Sequence, residues 1–253
     1  MVRMDWKIES FYSTGSVFLP GFGKTGLRLS TEAVVTPDDI RFFDAHESYS
    51  VSWNKLPHWS QAGTLAFVTW RTADSIPKPV YLEFVSRRKK LLIDEGIDPS
   101  GDWLAGLKLR KPAEALRVKW KLIEEFETLL NGCHGACVLE RPEIAAIVEG
   151  SLRKFDGERY VLTDFIVMPN HVHLLAAFAS EELMAEQITG WKRFQARQIN
   201  QQLGTTGPFW QDRCFDHLVR SEAQFEYYRW YIANNGVDAG LRASQYLYWS
   251  RQL

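Results

Sequence analysis

Between Tyr160 and Phe178 the chain reads as two β-prone runs joined at Pro169-Asn170, and the second opens on His171-Val172-His173. Side chains on a strand alternate with period two, so both imidazoles leave one face, about 7 Å apart at their Cα atoms. Val172 points to the other face. Two neutral imidazoles on a stiff strand make a ready pair of metal ligands. Taken alone, such a pair fits a structural role as well as a catalytic one, and it identifies no chemistry.

The flanking elements build a fold around that strand. Residues 64–71 alternate and are β-prone, which predicts a first strand. A helix is expected over 80–93. Pro112 suits the first turn of a longer helix to about Leu130, stopped by Asn131-Gly132, and Pro142 opens another to about Phe155. Ser180 is placed to cap a helix that ends near Leu203-Gly204. A short strand follows over 215–219. Ser221 then starts a final helix to about Asn235, closed by Gly236. The order β, α, α, α, β, β, α, β, α predicts an α+β protein, with an antiparallel sheet covered by helices on one face. Residues 1–50 carry many Gly, Ser, Thr and Pro and little periodicity, so an irregular extension is expected there.

Composition excludes some classes. No apolar run approaches the roughly 20 residues of a membrane span, so no membrane partner is expected. The segment Met1-Val2-Arg3-Met4-Asp5-Trp6 lacks the apolar core of a secretory signal. Three cysteines are an odd number, which argues against a disulfide framework and for the reducing cytoplasm. The motif Cys133-His134-Gly135-Ala136-Cys137 offers at most three ligands where structural zinc wants four, so reduced thiols explain it more simply.

The net charge of −1 gives no hint of a polyanion, but the basic residues are unevenly placed. One stretch runs from Arg87-Arg88-Lys89-Lys90 to Lys121, and Lys192, Arg193 and Arg197 share one predicted helix. Each set reads either as a solvated helix face or as a nucleic-acid contact.

On the last helix Tyr231 and Asn235 are four residues apart and share one face. If that face packs on the histidine strand, Asn235 supplies a third ligand oxygen and Tyr231 stands beside the metal as a nucleophile.

At this point the chain resembles a known family, the REP-associated tyrosine transposases of the single-tyrosine HUH superfamily. Leu56-Pro57-His58-Trp59 and Ala66-Phe67-Val68-Thr69 are similar to that family's opening strand. Phe155-Asp156-Gly157 and the run from Val167 through His171-Val172-His173 to Leu175 look like its HUH strand pair. Trp191-Lys192-Arg193-Phe194, Gly207-Pro208-Phe209-Trp210-Gln211 and Phe215-Asp216-His217-Leu218-Val219-Arg220 resemble its later segments. Tyr231 to Leu241 and Tyr248-Trp249-Ser250 are similar to its tyrosine helix and tail. The family's Asn-Pro is Asn235-Gly236 here.

The resemblance implies a ferredoxin-like antiparallel sheet with helices mainly on one face, as in HUH endonucleases. The catalytic domain would span 51–253, with a helical insertion at about 80–135. It implies Mg²⁺ or Mn²⁺ held by His171, His173 and Asn235, and Tyr231 as the catalytic nucleophile in single-stranded DNA cleavage and strand transfer. The intermediate would be a 5′-phosphotyrosine and the substrate hairpin-forming repeats. A monomer or homodimer is expected, with Lys192, Arg193, Arg197, Trp210, Arg213 and Arg220 as candidate DNA contacts. Two other readings compete: a domesticated protein that binds hairpin DNA without cutting it, and a metal-dependent hydrolase that uses water.

Overall fold

The computed structural model describes residues 36–54 and 56–252, in two compact units. The expectation for the first fifty residues lies, over 1–35, outside the described residues. One unit is the insertion, Asp74–Ala136; the other comprises residues 36–73 and 137–252.

The insertion holds α1 (Lys78–Asp94), α2 (Trp103–Lys108) and α3 (Pro112–Asn131). Both long helices have proline in the first turn, where its missing N–H costs nothing, and the Asp102 side chain caps α2 by accepting from the Ala105 amide. Leu92, Ile97, Trp103, Leu107, Val118 and Leu122 form one small core; Phe84, Phe126, Leu129 and Leu130 form a second. Much of the basic stretch is paired locally. The Glu95 carboxylate accepts from Lys121 at 2.7 Å and Arg117 at 2.8 Å, while Arg110 donates to its backbone carbonyl. Arg87 lies between Glu83 and Glu125 at 2.8 and 3.0 Å. The Lys121 hydrogen bond holds the Glu95 carboxyl below its ordinary range. A solvated, internally paired helix surface describes this stretch better than a nucleic-acid contact.

The larger unit carries β1 (Ser50–Asn54), β2 (Leu56–Ser60), β3 (Leu65–Thr72), α4 (Pro142–Arg153), β4 (Tyr160–Met168), β5 (His171–Phe178), α5 (Glu181–Leu203), β6 (Trp210–Leu218), α6 (Glu222–Asp238) and β7 (Leu247–Ser250). Strands β1 and β2 pair with each other; the other five form one antiparallel sheet in the order β6-β3-β5-β4-β7. The register sets Thr69 and Ile166 on either side of His173, and Arg71 and Met168 on either side of His171. Directly opposed residues share a face, so one face carries Phe67, Thr69, Arg71, His171 and His173.

Every residue of β3, β4 and β5 is buried, so both faces of the sheet need cover. On one face Ala66, Val68, Trp70, Val172, Leu174 and Ala176 meet Ile144, Val148 and Leu152 of α4 and Met184, Ile188 and Trp191 of α5. Two buried polar ends there are satisfied, Trp191 Nε1 donating to the Ser151 carbonyl at 3.1 Å and Tyr160 Oη to that of Leu152 at 2.6 Å, whereas Trp70 Nε1 and Trp210 Nε1 find no acceptor. The expectation of helices on one face describes α4 and α5. It does not describe α6, which covers the histidine face.

The sequence reading lacked α2 and the edge strand β7. Strand β6 begins at Trp210, not Phe215, because its first residues pair with the end of β3 beyond a register shift. The final helix runs past Gly236 to Asp238. Its stop is Gly240, with φ of +69°, where the Leu241 and Gly240 amides return to the carbonyls of Gly236 and Val237. Gly236 instead makes room for a close approach, since the Tyr246 ring lies where a side chain would begin. No described helix is long and apolar enough to cross a membrane.

Candidate active site

Helix α6 starts at Ser221, whose hydroxyl accepts from the Gln224 amide at 3.3 Å. Its buried residues, Gln224, Tyr228, Ile232, Asn235 and Gly236, mark the face that packs on the sheet. Tyr231, half-buried at the edge of that face, sets its ring 5.3 Å from the His173 ring and 5.9 Å from Phe67. The two histidine rings stand 4.6 Å apart, nearly perpendicular, each almost fully buried. The structure therefore brings Tyr231 to the histidine pair within one chain. Asn235 lies buried one helical turn further on.

Each imidazole is held through Nδ1. His171 Nδ1 bonds the Asn170 carboxamide oxygen at 2.8 Å, and His173 Nδ1 bonds Thr69 Oγ1 at 2.6 Å. An amide oxygen only accepts, so Nδ1 of His171 carries the proton and the lone pair sits on Nε2. The threonine hydroxyl can donate or accept; His173 has the same tautomer when its Nδ1 is the donor. Such bonds on the far nitrogen are how metal-ligating histidines are oriented. Both Nε2 atoms are buried.

Among the described residues no group of three or more His, Cys, Asp or Glu could hold a metal ion. A third protein ligand must then come from another residue type. Asn235 Oδ1 fits the need: it is buried and accepts no hydrogen bond. Leaving such an atom unsatisfied costs about 1–3 kcal/mol, which asks for an explanation. The donor set, two imidazole nitrogens and a carboxamide oxygen, suits a divalent ion of intermediate hardness.

The neighbouring tyrosines are distinguished by burial. Tyr228 stacks on Phe67 at 4.4 Å, and burial pushes its phenol well above the ordinary value, which disfavours a phenolate there. Tyr227 stacks on Tyr231 at 6.3 Å, one turn away from the histidines.

His217, on the same sheet face, accepts from Gln224 Nε2 at 3.0 Å and lies 6.1 Å from the Tyr228 ring. Burial, then the Arg220 charge, push its pKa down to about 4. The unfolded chain therefore takes up this proton first as pH falls. The stabilisation is complete above about pH 6.5 and is lost on the way down to about pH 4, on the order of 3 kcal/mol in all. Urea melts at pH 7 and 4.5 should show this loss in the wild type and a smaller one in His217→Gln; equal losses would contradict it.

Of the predicted DNA contacts only Arg220 acts on this face, through its charge on His217 and Tyr228. Lys192 is half-buried on α5, its ammonium donating to the carbonyls of Gln211 and Asp212 at 2.7 and 2.8 Å. Burial lowers its pKa. Arg193 and Arg213 are exposed and line a cavity of about 700 Å³ between α5 and β6, with Trp59 and Phe209; Arg197 is exposed on α5. Arg220 is exposed and places its guanidinium 5.9 Å from the Phe43 ring. Helix α5 covers the opposite sheet face from the histidines, so its basic side chains do not share a face with Tyr231. Trp210 is corrected most clearly. It is 5% exposed and edge-on to Trp70 at 6.2 Å, so most of its ring is spent in the core, and only its rim reaches the cavity that Arg193 and Arg213 line. The three cysteines are free thiols, with burial raising Cys214 to about 12.

Sequence reasoning missed Thr69 and Asn170, the two groups that orient the imidazoles. Asn170 had a signal, since a residue preceding a ligand histidine at a tight connection is placed to bond it. Thr69 had none, because strand register alone brings it to His173.

No family model and no curated protein matches the chain. Among solved structures it is similar to a REP-associated tyrosine transposase bound to a REP hairpin, with 14% identity over 72% of each chain and a TM-score of 0.32.

Proposed function

We propose that this chain cleaves and rejoins single-stranded DNA at hairpin-forming repeats, with Tyr231 as nucleophile and a divalent metal held by His171, His173 and Asn235. One observation carries the reading: the Tyr231 ring lies 5.3 Å from His173, on a helix whose buried face also holds Asn235, with an Oδ1 that accepts no hydrogen bond. The order of elements around the sheet, β3, α4, β4, β5, α5, β6, is compatible with the ferredoxin-like arrangement of HUH endonucleases.

Mg²⁺ or Mn²⁺ at this site would withdraw charge from the scissile phosphate, and imidazole ligands favour Mn²⁺. Asn170 and Thr69 keep the two rings in the ligating tautomer. Phe67 and His173 flank the Tyr231 ring and fix its direction. Tyr231 Oη attacks phosphorus and loses its proton. The P–O3′ bond breaks, and the departing strand takes up a proton as its 3′-hydroxyl. The new phosphotyrosine is itself an ester, so attack by another 3′-hydroxyl reverses the step and rejoins DNA without ATP. Placement of Tyr231 beside the histidines of its own chain supports action in cis.

Incubation with labelled single-stranded hairpin DNA and Mn²⁺ should yield an SDS-resistant protein–DNA adduct, lost completely in Tyr231→Phe. An adduct that survives this change would remove Tyr231 from the role. Hairpin binding with no adduct under any divalent metal would favour the non-cutting DNA-binding protein. Cut DNA with no protein attached would favour the water-using hydrolase.

A further inference from the structure

The outward side of α6 continues the aromatic set of the site into solvent. Tyr227 and Trp230 lie one turn or less before Tyr231, and Trp230 is 50% exposed. The ring centres step from Trp230 to Tyr227 over 6.5 Å at 30°, from Tyr227 to Tyr231 over 6.3 Å at 28°, and from Tyr231 to His173 over 5.3 Å. Asn234, one turn after Trp230, donates its carboxamide to the Trp230 carbonyl at 2.9 Å.

Trp230 is half exposed on a helix whose other face is engaged with the sheet, and its ring contact inside the chain is with Tyr227. The composition of the aromatic set favours one occupant. The Trp230, Tyr227 and Tyr231 rings lie within about 30° of one another from step to step, while Tyr231 meets His173 edge-on at 69°; the first three are flat rings of the kind on which nucleobases stack with little regard to sequence. Glu226 is exposed one turn before Trp230 and repels phosphates, so the stripe suits bases and not the sugar–phosphate backbone.

We propose that Tyr227 and Trp230 form a stacking platform for the unpaired nucleobases next to the phosphate that Tyr231 attacks. The inference rests on the reading of Tyr231 as a nucleophile toward single-stranded DNA. It moves the aromatic DNA contact, expected from the sequence at Trp210, to the half-buried Tyr227 and exposed Trp230 beside the site. The platform holds the strand by its bases while the phosphate between them faces the histidines. It is a positioning surface, and Tyr227 and Trp230 take no part in proton or phosphoryl transfer.

The test separates stacking from chemistry by using the full chain in a Tyr231→Phe background with EDTA, so that neither nucleophile nor metal contributes. Anisotropy of a fluorescein-labelled single-stranded 12-mer is compared with that of an abasic strand of the same length. Trp230→Ala and Tyr227→Ala should each weaken binding of the base-bearing strand about tenfold, the effect of losing one base–aromatic stack. Binding of the abasic strand should not change, and the salt dependence should keep its slope because no phosphate contact is lost. Trp230→Phe should recover most of the affinity. Trp230→Gln serves if the alanine variant melts early. Unchanged affinity for the base-bearing strand in Trp230→Gln or Trp230→Ala overturns the platform. So does a wild-type dimer that Trp230→Ala converts to monomer with DNA affinity intact, since the stripe would then join two copies of the chain. The adduct assay with Tyr231 present is scored separately, so a failure of the nucleophile leaves its own signature.

Discussion

Replacing His173 with glutamine is expected to slow adduct formation about a thousandfold and to make the residual rate indifferent to Mn²⁺. The size follows from losing several kcal/mol of charge withdrawal at the phosphate, at 1.36 kcal/mol per tenfold. Glutamine is chosen over alanine because the His173 ring is 3% exposed and stacks on Phe67 at 5.4 Å. Alanine would leave a cavity next to Tyr231 and confound packing with chemistry. Thr69→Val is the companion variant. It removes the 2.6 Å bond to Nδ1 and should cost about 10–100-fold in the same assay, with a stability loss of about 1–3 kcal/mol for the buried hydrogen bond. Single-turnover adduct rates over a Mn²⁺ series decide the matter. A glutamine variant with the wild-type rate and undiminished Mn²⁺ dependence would take His173 out of the site.

What the sequence disclosed was local, and what it concealed depended on distant contacts. Pro112, Pro142, Ser180 and Ser221 each mark a helix start by chemistry within one turn, and each helix begins there. The histidine strand was legible for the same reason, since alternation is a property of neighbours. The end of the last helix was not. Gly236 looks like a stop when read along the chain, yet the Tyr246 ring ten residues later decides its use, and Gly240 ends the helix. The side of the sheet that α6 covers was equally hidden. Tyr227, Tyr228, Trp230 and Tyr231 point around much of its circumference, so no single apolar stripe announces a buried face. Trp210 misled because burial of a tryptophan depends on what it meets, here Trp70 across the β3–β6 pair.

Replacing Arg229 with methionine should cost about 3–5 kcal/mol of stability at neutral pH, the penalty of leaving a buried charge alone. Asp164 is fully buried on the histidine face of β4, and Arg229 of α6 meets its carboxylate through Nε at 3.1 and 3.3 Å. The same guanidinium donates to the Arg251 carbonyl at 3.0 Å, and Arg251 in turn donates to the Leu162 carbonyl at 2.9 Å and pairs with Asp156. Helix, sheet and C-terminal segment are thus tied at one buried carboxylate. Burial pushes the Asp164 carboxyl up, and Arg229 pulls it partly back. Without Arg229 the folded pKa rises further above its unfolded value. Below the unfolded pKa the acid is neutral in both states. As pH climbs from about 4, the unfolded chain loses this proton first, so the penalty grows and then levels off above the variant's folded pKa. Urea melts should therefore show a larger deficit at pH 8 than at pH 5, and a deficit under about 1 kcal/mol at pH 8 would rule out the buried-charge account. The double variant Asp164→Leu with Arg229→Met should regain much of the loss, because an apolar pair avoids the desolvation that the ion pair must offset. Arg229 stands two residues before Tyr231, so the double variant also separates stability from placement. If it melts like the wild type but forms adduct slowly, the ion pair sets where α6 presents its tyrosine, and the fold's stability is not what the reaction lacked.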